Sequence, residues 1–315
     1  MDSSRKSLRK LIAPLAVFMW CIAATLNAQP ENLELVKKKA DAKLREAVNG
    51  VSGAMGFVAF DLVRGDRFAM NEQLVFPQAS AIKILILMEV FMQVHKGKIK
   101  FSDLLWVEKK KQAAGSGVLS ELGDHSSQLS IRDLCVLMIV LSDNTATNML
   151  LDVIGIGNVN QTLRSLGLTK TKVQRRMLDQ AASVRGDENL STPAEAARIM
   201  EILFKGEFIN RAVCDDLLSI LKKPKGGAIQ SAMPPDVPVA FKPGGLSGVT
   251  TEWAIVYLEG LPFVVVVMEN YAVGDEADRA TKKIAAILYE YYSRIATATK
   301  YGTYVEPRLL KETVK

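Results

Sequence analysis

The chain has 315 residues, 49% of them hydrophobic and 23% charged; that composition excludes a disordered chain, and the length is enough for a core without a disulfide or metal staple. Two histidines and three cysteines argue against a zinc site of several His or Cys ligands, and a Ser-His-Asp triad would have to use His95 or His125. The net charge of +6 falls to +3 once residues 1–28, with four bases against one acid, are set aside, too mild a balance for a nucleic-acid partner.

Arg5, Lys6, Arg9 and Lys10 precede an uncharged, mostly apolar run from Leu11 to Leu26, and Leu26-Asn27-Ala28 offers a small residue for cleavage. This is the order of a secretory signal over residues 1–28. The run is short for a membrane anchor, and Pro14, Thr25 and Asn27 interrupt it. The mature chain, 29–315, is therefore expected in the periplasm or secreted, off the membrane after cleavage. Cys135 and Cys214 could pair there, but Cys135 sits in an apolar run, where a buried free thiol is the commoner outcome.

Leu33, Val36, Ala40, Leu44 and Ala47 recur at helical spacing, predicting a helix over 31–49 that ends at Gly50, with Lys37-Lys38-Lys39 as its solvated face. Ala54–Val63 and Arg67–Asn71 read as strands turned at Arg64-Gly65-Asp66. A helix apolar nearly all round runs from Ser80 to about Val94, and helical signals continue to about Lys222. Among them are Ile131–Leu141 behind the cap Ser130, and a helix opened by the capping box Thr192-Pro193-Ala194-Glu195. Lys222–Gly227 is a basic Pro/Gly crossing segment. Thr250–Leu258 and Pro262–Met268 form a hairpin across Glu259-Gly260, and Asp275 caps a last helix to about Tyr292. These elements predict an α+β fold: one antiparallel sheet built from both chain ends (31–79 and 228–295), flanked by terminal helices, with an all-α domain (80–227) inserted. A cleft between the two parts is the default site.

Three short motifs carry chemistry. Ser80-Ala81-Ile82-Lys83 puts serine and lysine on one helical face, where a lysine of lowered pKa can take the hydroxyl proton. Ser-x-x-Lys also occurs at Ser3/Lys6, Ser7/Lys10 and Ser219/Lys222; only Ser80 opens a buried helix, whose lysine must be paired or line a cleft. Ser142-Asp143-Asn144 ends an apolar helix, either as a plain helix end or as a proton shuttle (Ser142) and amide ligand (Asn144). Lys242-Pro243-Gly244-Gly245 follows an alternating strand. Glycines there admit a close substrate backbone, and a proline fits an edge strand.

In this order, on a buried helix, a helix end and a strand, the three motifs resemble the class A β-lactamase and penicillin-binding acyl-serine family. Phe76-Pro77, Gly115-Ser116-Gly117-Val118-Leu119 and Thr192-Pro193 add to the resemblance, which covers about residues 31–292. It implies Ser80 as nucleophile and Lys83 as its activator. Ser142 would relay a proton to the leaving nitrogen, and Asn144 would hold Lys83 and the substrate amide. Lys242, with Gly244 and Gly245, would receive the substrate, and the Ser80 and Gly245 N–H groups would form an oxyanion hole. No cofactor or metal is implied. The partner would be a β-lactam or cell-wall peptide, and the chain a monomer. Leu87 stands where the family's usual partner cysteine would be, so no disulfide is expected.

The chain departs from the family at three places. Pro243 replaces the usual Thr or Ser. The arginine often found just after that strand is absent, Thr250 and Thr251 standing there. In the loop that carries the deacylating glutamate, Arg175-Arg176-Met177-Leu178-Asp179-Gln180 puts Met177 at the glutamate's place. Asp179 is then a substitute base, a partner of Arg175 or Arg176, or a loop cap, and Asn189 matches the loop-closing aspartate. The resemblance implies β-lactam hydrolysis through acyl-Ser80; alternatives are a penicillin-binding D-alanyl-D-alanine peptidase or esterase with slow deacylation, or a non-catalytic cell-wall-binding or sensor domain.

Overall fold

Alternation along three long strands sets up the two sides of the molecule. The computed structural model describes residues 31–312, so the leader read over 1–28 lies outside the described residues. In β1 (Ala54–Asp61), Phe57 and Ala59 join one apolar cluster and Val58 the other. In β8 (Val249–Val256) and β9 (Phe263–Asn270), Ala254, Val256, Val265 and Val267 go with the first, and Trp253, Ile255, Val264 and Val266 with the second. A strand buried on both faces reads as a continuous apolar run, as Phe263–Met268 does.

With β2 (Arg67–Met70) and β7 (Val239–Leu246), these strands make one antiparallel sheet in the order β2-β1-β9-β8-β7. Both ends of the chain build it, as expected, and β7 is an edge, as Pro243 required. Helices α1 (Glu31–Asn49) and α10 (Glu276–Ala296) pack together over the outer face. The inner face shares its core with α2 (Lys83–His95), α3 (Ile131–Val140), α4 (Asn144–Ile154), α5 (Ile156–Ser165), α7 (Pro193–Lys205) and α8 (Arg211–Leu221). Helix α7 lies directly on β1, β8 and β9, so the 80–227 segment and the sheet share one apolar core.

Several expectations are corrected in detail. Two short ribbons went unread: β3 (Phe76–Pro77), just before the helical stretch, pairs with β6 (Leu190–Ser191) within it, and β4 (Leu104–Trp106) pairs with β5 (Gln128–Ser130). Strands of two or three residues have no alternation to read. Small helices α6 (Gln180–Val184), α9 (Ala228–Ser231) and α11 (Pro307–Glu312) were equally invisible. The last long helix runs to Ala296, and Asp275 pairs with Arg279 instead of capping it. The capping box at Thr192 is half made: Thr192 accepts the Glu195 N–H, while the Glu195 carboxylate takes N–H groups of Thr169, Lys170 and Thr171. Cys135 and Cys214 are free and buried. No helix of the described residues is long and apolar enough to cross a membrane.

Candidate active site

Ser80 lies in a 3-10 turn, Ala79–Ile82, that leads into α2. Ala79 before it holds φ at 42°, a left-handed conformation that costs a non-glycine residue about 1 kcal/mol or more. One turn on, the fully buried Lys83 brings Nζ to 3.1 Å from Ser80 Oγ. The same Nζ contacts Ser142 O at 2.6 Å, Asn144 Oδ1 at 2.9 Å and Ser142 Oγ at 3.0 Å. Two of these partners, the Ser142 carbonyl and the Asn144 amide oxygen, can only accept. They consume two N–H donors and leave the third nitrogen position for a hydroxyl, which can accept from an ammonium or donate to a free amine. Burial drives the Lys83 pKa down to about 7, and the Asp143 charge offsets only part of that. The free amine is therefore well populated at neutral pH, beside the Ser80 hydroxyl.

The second motif is a helix end and more. Ser142 sits between α3 and α4 with φ at 54°, and Asp143 caps α4 by accepting the Ala146 N–H at 2.8 Å. The other Asp143 oxygen takes the Val118 and Leu119 N–H groups at 2.7 and 2.9 Å, while Asn144 Nδ2 donates to Ala114 O at 3.0 Å. Residues 113–119 are thereby tied down across the motif. Gly117 holds φ at 109°, and a Cβ there would fall 2.2 Å from the Asp143 carboxylate, so only glycine fits.

Lys242 reaches the same point from β7. It is buried, with Nζ 3.1 Å from Ser142 Oγ and 2.9 Å from Pro243 O. Burial, together with the charges of Lys83 and Lys225, lowers its pKa well below the usual lysine range. Ser142 Oγ thus bridges two lysines. A Cβ on Gly244 would lie 2.7 Å from Ser80 N and 2.6 Å from Ala81 N. This glycine lets the strand seat on the protein's own serine turn, where a close substrate backbone had been expected. Gly245, the next residue, is exposed, and a Cβ there would meet only Val249 O at 4.0 Å.

The loop before β6 is closed by Asn189, the residue that matches the loop-closing aspartate. Asn189 is buried, and its Oδ1 accepts the Gln174 and Arg175 N–H groups at 2.8 and 3.1 Å. Arg175 turns to Glu188, with Nη2 to Oε2 at 2.8 Å, and Arg176 pairs with Asp152. Of the three alternatives for Asp179 the structure gives the cap: it accepts the Ala182 N–H at 2.9 Å at the start of α6. Met177 is buried, and both its backbone groups are held by Asn148, N to Oδ1 at 2.9 Å and O to Nδ2 at 3.2 Å.

The structure brings together Ser80, Lys83, Ser142, Asn144 and Lys242, with Gly244 beside the Ser80 turn and Gly245 next to it on β7, and uses Asp179 Oδ1 to cap α6. Reading the sequence assigned no role to Asp143, Asn148 or Glu188. Asn148 had one available signal, since it repeats an asparagine at i+4 on the helix that carries Asn144. The described residues hold no group of three or more His, Cys, Asp or Glu side chains able to bind a metal.

Residues 39–292 match the family model described as "Beta-lactamase enzyme family". Beta-lactamase AST-1 of Nocardia asteroides is 26% identical over 267 residues, 82% of this chain and 86% of that protein. The ancestral class A beta-lactamase GNCA superposes with a TM-score of 0.73 at 26% identity, covering 80% of this chain and 99% of that one. A leucine-to-glutamate variant of PBP-A, solved as its acyl-enzyme complex with penicillin G, gives 0.74 at 23% identity, covering 80% and 96%. A match over most of the chain, on the fold and cleft described above, places it in the beta-lactamase enzyme family, among the class A-like serine enzymes.

Proposed function

We propose that this chain opens β-lactam amides through an acyl-Ser80 intermediate. The observation that carries the reading is the single buried nitrogen of Lys83, poised between the Ser80 and Ser142 hydroxyls with its pKa near neutrality. Ser80 Oγ attacks the lactam carbonyl carbon, and its proton passes to the free amine of Lys83. Backbone N–H groups of Ser80 and Gly245 receive the developing oxyanion; removing one such donor typically costs about 3 kcal/mol. As the C–N bond breaks, Ser142 gives its proton to the leaving nitrogen and is resupplied from Lys83. Asn144 holds Lys83 and meets the substrate amide, and Lys242 polarises Ser142 and attracts negative charge.

Water must then cleave the ester, and here a second reading gains support. Met177 cannot orient a water, and the Asp179 carboxylate is engaged as a helix cap. Loss of a positioned base slows such a step by about 10²–10⁴-fold. A penicillin-binding peptidase or esterase with a long-lived adduct fits those two residues. Under either reading the enzyme works outside the cytoplasm as a monomer on a small molecule or cell-wall peptide, with the leader removed. Intact-mass spectrometry after brief and long exposure to penicillin tests both. An adduct at Ser80 that disappears with turnover supports hydrolysis, an adduct that persists supports the second reading, and no adduct leaves a non-catalytic binding domain.

A further inference from the structure

Gln78, two residues before the nucleophile, is completely buried, and every polar group it owns is engaged. Its backbone N–H donates to Asn189 O at 2.8 Å, tying the serine turn to the end of the 172–190 loop. Its carbonyl accepts from Ala81 N at 3.0 Å and from Thr251 Oγ1 at 3.0 Å. The carboxamide oxygen accepts from Trp253 Nε1 at 3.0 Å, and the amide nitrogen donates to Phe76 O at 2.8 Å with Met268 Sδ at 3.3 Å. One side chain therefore joins β3, β8 and β9, and the left-handed Ala79 follows at once. A strained residue persists only where its surroundings over-determine it, and the bonds of Gln78 are the nearest such constraint on the chain side of Ser80. Thr251 also flanks Gly244, the residue seated on Ser80 N.

We propose that Gln78 is a positioning residue for Ser80. Its carboxamide, strung between the Trp253 indole and the Phe76 carbonyl, fixes the turn that aims the hydroxyl at Lys83 and the Ser80 N–H into the cleft. This rests on the reading of Ser80 as the nucleophile. In Gln78→Met the side chain keeps its length and burial while Trp253 Nε1 and Phe76 O lose their partner. Misplacement by about 1 Å costs a reaction on the order of 10²-fold.

The test is the rate of labelling by a fluorescent penicillin as a function of its concentration and of pH. Gln78→Met should label about ten- to a hundredfold more slowly at saturation, with the half-saturating concentration and the pH midpoint of the rate unchanged, because binding groups and Lys83 are untouched. Trp253→Phe should slow labelling too, and the double variant should lose less than the product of the two, since its indole donor is no longer stranded. If Gln78→Met does not fold, as judged by near-UV circular dichroism, Thr251→Val takes its place and should also slow the saturated rate. A folded Gln78→Met that labels at the wild-type rate overturns the proposal, as does a change confined to half-saturation or a strictly multiplicative double variant. A wild-type chain that neither takes label nor hydrolyses the penicillin overturns the nucleophile reading, and this proposal falls with it.

Discussion

A lysine enclosed among neutral partners loses hydration without a contact counter-ion, and Lys83 is such a lysine: its four contacts are hydroxyl, carbonyl and amide oxygens. Only its free amine can take the Ser80 proton, and that form grows as pH rises through about 7. Acylation should therefore climb from pH 5.5 to 8 with a midpoint near there, measured as the labelling rate of Ser80. A rate flat across that range would show that another base serves. Pro243 bears on the other partner. Lys242 spends a donor on the Pro243 carbonyl, and proline offers neither hydroxyl nor N–H to a substrate carboxylate. A hydrogen bond to a charged group is worth about 1.5–3 kcal/mol, roughly ten- to a hundredfold in affinity. Pro243→Thr should accordingly raise the acylation constant for penicillins more than for an uncharged ester, as competing labelling experiments would register. Equal or poorer acylation of both would mean that Pro243 shapes the cleft for something else.

At the scale of elements, the motifs were legible because each is short and local. Ser80 and Lys83 share one helical turn, and Asp143 caps the helix it opens. The residues that hold these elements in place were not legible, because their partners are remote in sequence: Gln78 meets Trp253 across 175 residues, and Asn148 meets Met177 across 29. Glu195 was read as half of a capping box, a local role, but its carboxylate clamps the start of the 172–190 loop. Partial burial pushes its pKa up, yet the hydroxyl of Thr171 and the N–H groups of Lys170, Thr169 and Thr171 bring it below the ordinary value. A carboxyl lowered by folding contributes stability above its unfolded pKa, and that contribution is lost as pH falls through the folded one. Glu195→Gln should thus cost about 1–3 kcal/mol at pH 7 and less near pH 3, and should open the loop to limited proteolysis. Unchanged cleavage between residues 172 and 190 would count against the clamp.

For the whole molecule, the building of one sheet from both chain ends, the covering helices and the antiparallel hairpin followed from apolar periodicity, while the strand order, the loop closures and the two-residue ribbons rest on contacts that periodicity does not encode. The same is true of buried charge. Glu252 lies opposite Pro243 in the β7–β8 register and is almost fully buried. Its Oε2 accepts the Ala228 N–H at 2.9 Å and the Ile229 N–H at 3.3 Å, and among the described residues its Oε1 has no partner. Burial pushes its pKa up to about 7, the backbone bonds from Ile229 and Ala228 oppose that, and Asp278 adds to it. Lys225 and Lys242 also lie within its field; burial lowers the Lys225 pKa to about 8. An acid whose pKa is raised by folding stabilises fully below its unfolded pKa and loses that contribution as pH rises through the folded one. Relative to Glu252→Gln, the wild type should therefore lose thermal stability as pH rises from about 5 to 7, the lysines contributing equally to both proteins; parallel curves for the two would refute the assignment.

The register between β7 and β8 runs through Pro243 without interruption, so the nitrogen that cannot donate faces away from β8, toward the open side of the sheet. N–H groups two residues apart in a strand point the same way, which aligns that silent position with Gly245. An unpaired strand edge is a template on which any extended chain can lay down a further strand. Here the row has a donor at Gly245 and a gap at 243, and the Pro243 carbonyl is already claimed by Lys242. A peptide arriving in extended form would find one rung missing from the ladder beside Gly245. The edge is thus a poorer template for a further strand, from a bound peptide or from another copy of this chain, than an unbroken row of donors would be.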